Sequence, residues 1–148
     1  MKRWLPILAL VVLSSTTTAV AQDNLVELKA ALMSADYRGD LAQLEDLRKR
    51  AERWTEDPEL GYLADYWRGY ASWRIAINGA SAKFPGGRNQ SYLERAAADF
   101  ESSIRKNDQF ADAYAARAAA GLEIRQGNPH AGDRNAPETT LTDLKLAF

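Results

Sequence analysis

Apolar side chains recur at three- and four-residue steps along most of this chain, the spacing that gives a helix one buried face. Leu25, Leu28 and Leu32 form the first such stripe and predict a helix over Asn24–Ala35. Leu41, Leu44, Leu47, Ala51 and Trp54 form the second, over Leu41–Trp54. Asp40 is a good N-cap for it, and Gln43 three residues on completes a capping-box pattern. A third helix is predicted from Pro58, a favoured first-turn residue, to about Asn78–Gly79. The fourth follows Ser91, with Glu94 in capping-box position and a stripe of Leu93, Ala96, Ala97, Phe100 and Ile104. The fifth covers Gln109–Gln126 and stops at Gly127. A sixth is predicted from Pro137 to the chain end, burying Leu141, Leu144 and Phe148. Residues 79–90 and 127–136 are rich in Gly, Pro and Asn and read as loops. No stretch alternates apolar and polar positions with β-branched enrichment, and valine is absent after Val26. The fold class is therefore all-α.

The first 21 residues have a different logic. Lys2 and Arg3 precede an apolar run from Trp4 to Leu13, then small polar residues, then Ala19-Val20-Ala21. That is the three-part layout of a secretory signal peptide. A membrane-spanning helix needs about 20 apolar residues, and this run is about half as long. The expectation is a signal peptide over 1–21 and a mature domain over 22–148 that is periplasmic or secreted, with no stable membrane insertion after cleavage. The chain has no cysteine, which excludes disulfides, thiolate chemistry and cysteine-ligated metal. It also fits a bacterial envelope better than a eukaryotic extracellular space. Residues 22–148 carry three more acidic than basic side chains. Nucleic acid is not an expected partner, because that binding leans on a basic patch.

Catalytic chemistry finds little support. His130 is the single histidine, in the second loop beside Asp133, and a metal site needs three or four convergent ligands. Pro85-Gly86-Gly87 lacks the spacing of a phosphate-binding loop, and no strand precedes it. Asn89-Gln90-Ser91 matches a glycosylation acceptor, which carries no meaning in a bacterial protein. Glu56, Asp57 and Glu59 sit at a helix start, where negative charge favours the helix dipole. The expectation is no catalytic residue, no metal and no cofactor.

The third helix is the informative one. Tyr62, Tyr66, Trp67, Tyr70 and Trp73 fall within an arc of about 140° on it. Arg74 lies in the same arc, next to Trp67, where a guanidinium can stack on the indole. Arg68 lies outside it. The arc serves either as core, because aromatics bury large areas, or as a binding surface, because Tyr, Trp and Arg dominate binding hot spots.

A shift of 52 residues superimposes two helix–turn–helix units, placing Tyr62 on Tyr114, Gly69 on Gly121 and Leu41 on Leu93. Such a repeat argues for stacked hairpins sharing one core. The segment Ala96–Gly127 resembles the tetratricopeptide repeat family. Ala96 and Phe100 match its second helix, and Tyr114, Ala118 and Ala120 match the start of its next first helix. Asp108 departs from its usual proline, Arg117 and Gly121 depart from a leucine and an aromatic, and the loops lengthen its period of about 34 residues. The resemblance implies a superhelix of stacked antiparallel helical hairpins whose first helices line a concave groove for a partner peptide or helix. It places Tyr62, Tyr66, Trp73, Arg74, Tyr114 and Arg117 as candidate partner-binding residues. Asp65 and Arg117 occupy equivalent positions in the two units and are expected to pair. The last helix ends inside a second-helix pattern, which predicts a longer parent protein. Two other functions compete. A small-ligand carrier predicts a closed cavity between the second, third and fourth helices. An enzyme acting on an envelope polymer predicts a deep cleft with a carboxylate of raised pKa, Glu94 or Glu101.

Overall fold

In a computed structural model, the structure describes residues 13–85, 87–127, 142 and 146, with side chains described from residue 25. Helix α1 spans Leu13–Tyr37, α2 Leu41–Ala51, α3 Gly61–Ser81, α4 Arg88–Lys106 and α5 Ala111–Gly127, and a 3-10 turn over Glu52–Trp54 extends α2. Among the described residues there is no strand. None of these helices is long and apolar enough to cross a membrane. The sixth helix, His130 and the loop 127–136 lie outside the described residues, apart from Gly127 and from Thr142 and Leu146, which are helical.

Most positions of the stripes read from the sequence are buried, while Leu41, Trp54 and Ala97 are half-buried. Leu25, Leu28 and Leu32 of α1, Leu44, Leu47 and Ala51 of α2, and Leu93, Ala96, Phe100 and Ile104 of α4 are all buried. Helix α1 begins earlier than expected and runs back through residues 19–21.

Helix α1 ends in a left-handed stop. Gly39 has φ 63, its N–H reaches the Asp36 carbonyl, and the N–H of Asp40 reaches the Ala35 carbonyl, both at 2.9 Å. That pair of bonds is a Schellman motif, which favours glycine at the left-handed position. Asp40 then starts α2 by accepting from the Gln43 N–H at 2.9 Å. The second half of the expected capping box does not form. The Asp40 N–H is already engaged with Ala35, and the Gln43 side chain accepts from Arg38 instead. Asp57 organises the entry to α3 by accepting from the N–H groups of Glu59 and Leu60 at 2.9 and 2.8 Å. The turn that Pro58 was expected to begin therefore precedes α3 proper, which starts at Gly61.

Helix α4 starts a turn earlier than expected, with Gly87 as N-cap at φ 82. The Gly87 carbonyl accepts from the Ser91 N–H at 3.0 Å, so Ser91 lies inside the helix and is not its cap. Glu94 accepts from the Gln90 side chain instead of closing a capping box. Helix α3 runs on to Ser81, which shortens the predicted loop to residues 82–87.

Helix α3 is the central element, touching every other helix. Its closest face is made of small side chains. Gly61, Asp65, Gly69, Ser72, Ala76 and Gly79 are all buried and follow one another at three- and four-residue steps, so they share one side. A Cβ at Gly69 would stand 2.8 Å from the Phe100 ring, so the absence of a side chain there is what lets α4 lie against α3. Asp65 and Tyr62 near the start of α3 bond Ser102 and Ser103 near the end of α4, so the two helices are antiparallel. Tyr62 near the start of α3 meets Phe110 just before α5, with ring centroids 5.2 Å apart.

Candidate functional site

The α3–α4 contact is pinned by charge. Asp65 is 1% exposed. Its carboxylate takes the Lys106 ammonium at 2.6 Å, the Arg68 guanidinium at 3.1 Å and the Ser102 hydroxyl at 2.7 Å. Lys106 also donates to the Thr55 carbonyl at 2.6 Å, which ties the end of α4 to the turn after α2. Arg68 bridges to Asp99 at 2.6 Å. Burial pushes the Asp99 carboxyl above its usual range, against the pull of Arg68. Burial works against the charge on Arg68, but its bonds to Asp99 and the nearby Asp65 outweigh it and raise its pKa. Asp65 therefore does not pair with Arg117 as its position in the repeat suggested. Arg117 pairs with Glu101 of α4, because α4 lies between the two positions with its own charges.

A second clamp joins α1 to α3. Asp36 accepts from the Tyr70 hydroxyl at 3.1 Å, Arg74 Nε at 2.7 Å and Asn78 Nδ2 at 3.1 Å. The three donors stand four residues apart on α3 and so share one face. Burial, and then the charge of Asp36, raise the Tyr70 pKa. Arg74 lies 5.7 Å from the Trp73 ring centroid and not on Trp67. Trp67 is faced by Lys29 of α1 at 5.4 Å. The reason is Asp36, which draws the guanidinium toward α1.

The remaining aromatics of α3 turn toward α5. Tyr66 and Trp73 line an open groove of about 240 Å³ whose opposite wall is Ala115, Ala116 and Ala119, with Asp112 at one end. Tyr66 also packs on Phe100 and Phe110, at centroid distances of 5.7 and 5.1 Å. Burial, with the Asp112 charge behind it, pushes the Tyr66 phenol up to about 12. The Trp73 indole N–H is buried without a hydrogen-bond acceptor among the described residues. All five aromatics of the arc stay half-buried, so the arc is neither sealed core nor bare surface.

The six candidate residues thus divide. Tyr66 and Trp73 share the groove. Tyr62 does not line it: its ring meets Phe110, and it borders a separate pocket with Thr55, Pro58 and Lys106. Arg74 faces α1. Tyr114 and Arg117 form their own pair, the guanidinium 5.7 Å from the ring, on the side of α5 that meets Glu101. Sequence reasoning missed the opposite wall. Its signal was the alanine run Ala115–Ala120 (broken only by Arg117), small residues facing large ones across a helix pair.

Two other surfaces stand out. Val26, Met33 and Tyr37 are exposed along one face of α1, Tyr37 at 94%. A cavity of about 420 Å³ lies between α2, α3 and α4, walled by Leu41, Ile75, Phe84 and Tyr92, with Glu45 and Arg88 as its charged lining. Phe84, the aromatic of the loop, is therefore half-buried against the core. Hydrogen bonds from Arg48 hold the Glu45 carboxyl below its usual range despite burial.

No family model, no curated protein and no solved structure matches this chain. The site stands on its own geometry. Among the described residues no group of three or more His, Cys, Asp or Glu could hold a metal ion. Glu101 is taken up by Arg117 and by Arg105. Among the described residues the carboxyl with a raised pKa is Asp99, and it is occupied by Arg68.

Proposed function

We propose that this chain is an exported, tetratricopeptide-like protein–protein interaction module of the bacterial envelope, an adaptor or scaffold without catalytic activity. Its partner peptide or helix lies in the groove between α3 and α5. The observation that carries the reading is the groove itself, with Tyr66 and Trp73 facing Ala115, Ala116 and Ala119. Large aromatics opposite small residues leave room for an inserted side chain, and such half-buried aromatic pockets are where binding energy concentrates. The order of packing supports the tetratricopeptide-like part of the reading, since α3 lies antiparallel to α4 while its start meets the start of α5. Asp112 at the groove end favours a partner carrying a Lys or Arg there.

The test is affinity capture with the purified chain from an envelope extract, beside Ala115→Arg and Ala119→Arg variants. These substitutions fill the groove without touching the buried core. A partner held by the native chain and lost by both folded variants is the expected result. A partner held equally by all three chains, or none held by the native chain, rejects the groove reading.

A second reading, a small-ligand carrier, is favoured by one observation. The pocket between α2, α3 and α4 is of ligand size, although it is half open to solvent and not the closed cavity expected, and its walls come from Phe84 and Tyr92 and not from the aromatic arc.

A further inference from the structure

The cavity between α2, α3 and α4 has two characters. Leu41, Ile75 and Phe84 make its walls apolar, and the Tyr92 ring closes one side. Its two charges are not equivalent. Glu45 is neutralised, since both of its oxygens accept from Arg48 at 3.0 Å and the Tyr92 hydroxyl adds a longer bond at 3.4 Å. Arg88 has no ion-pair partner among the described residues, and its guanidinium stands 4.3 Å from the Phe84 ring centroid at the cavity rim. A second cation, Arg95, faces the Tyr92 ring at 5.3 Å. Arg88 is also the first residue of α4, whose N-terminus has no side-chain cap. The helix dipole there adds to the positive potential at the rim. A half-open pocket with apolar walls and one guanidinium at its rim without an ion-pair partner selects a molecule with an apolar body and an anionic head, because a guanidinium holds a carboxylate through two parallel hydrogen bonds.

We propose that this cavity binds a small carboxylate with an aliphatic or aromatic body, the body lying against Leu41, Ile75 and Phe84 and the carboxylate on Arg88. The proposal rests on the carrier reading and adds the class of ligand to it. It does not depend on the groove between α3 and α5.

The experiment is calorimetric titration of the purified chain with octanoate and with 1-octanol, two probes with the same tail that differ in the head. Two variants accompany it. Arg88→Gln removes the charge at an exposed position, and Ala42→Phe fills the cavity from its exposed rim. The expected result is saturable octanoate binding, with octanol about tenfold weaker or more, as a charged hydrogen bond predicts. Arg88→Gln should erase that difference while leaving octanol unchanged, and Ala42→Phe should abolish both. Octanol binding as tightly as octanoate, or octanoate binding unaffected by Arg88→Gln, overturns the anionic head and leaves a carrier of neutral molecules. No saturable binding of either probe by the folded chain overturns the cavity as a ligand site, and the carrier reading with it.

Discussion

Replacing Asp65 with alanine should cost this fold more than any other exchange of a single charged residue. Removing one member of a buried ion pair costs about 3–5 kcal/mol, because the other charge is left in a poor solvent. Two features lower the figure here. Arg68 keeps its bond to Asp99 at 2.6 Å, and Lys106, whose side chain is 36% exposed, can turn back toward water. Ser102 loses its acceptor and stays half-buried. A loss of about 2–3 kcal/mol follows, which for a domain of this length lowers Tm by about 8–12 °C. Helical circular dichroism followed through heating and through urea would read it. The double variant with Lys106→Met should lose less than the two single variants together, by about 1 kcal/mol or more, since each single change removes the same contact. A loss under about 0.5 kcal/mol for Asp65→Ala would refute the claim that charge pins α3 to α4, and would leave the small-residue contact to hold them alone.

Three further outcomes are expected. Gly69→Ala puts a methyl group 2.8 Å from the Phe100 ring. Overpacking of about 1–3 kcal/mol should exceed the gain in helix propensity of about 1 kcal/mol, and urea unfolding would read a net loss; a gain would mean α4 can retreat. Tyr66, raised to about 12, keeps its proton in the folded state where the unfolded chain has released it, so stability should fall as pH climbs from its ordinary value toward 12. The loss should approach about 1–2 kcal/mol after allowing for partial exposure, and Tyr66→Phe should remove that part of the slope in urea titrations at stepped pH. Asp36→Ala strips three α3 side chains of their shared acceptor, and amide exchange in α1 should quicken while exchange in α4 stays slow.

The stripes of leucine and alanine were legible because a helix with one wet face repeats its apolar positions at fixed steps, and Leu25, Leu44, Leu93 and Phe100 went where that spacing put them. The start of α4 was not. Ser91 has the right chemistry for a cap, but Gly87 reaches a left-handed conformation that turns the chain one turn sooner. The closest face of α3 was also hidden, because glycine and serine carry no hydrophobic signal and the aromatics beside them do. Angular position on α3 identified Arg74 as a neighbour of aromatics. It could not identify Asp36, 38 residues away, as the group that decides its direction. Of the six candidate residues only Tyr66 and Trp73 line the groove, and its alanine wall was overlooked because small residues look like filler until two helices meet.

The face of small residues on α3 makes the molecule unequal in what it can accept from mutation. On that face, added volume at Gly61, Gly69 or Gly79 collides with Thr55 in the turn after α2, Phe100 of α4 or Phe84 in the loop before α4, at 2.8 Å or less. On the α5 side, Tyr66 and Trp73 already border open space. A library of variants in α3 should therefore lose its larger substitutions in a wave that follows the turn of the helix, with tolerance returning wherever the chain points toward the groove. Drift in sequence would be channelled to that side, so related chains could vary the groove while keeping how they stand.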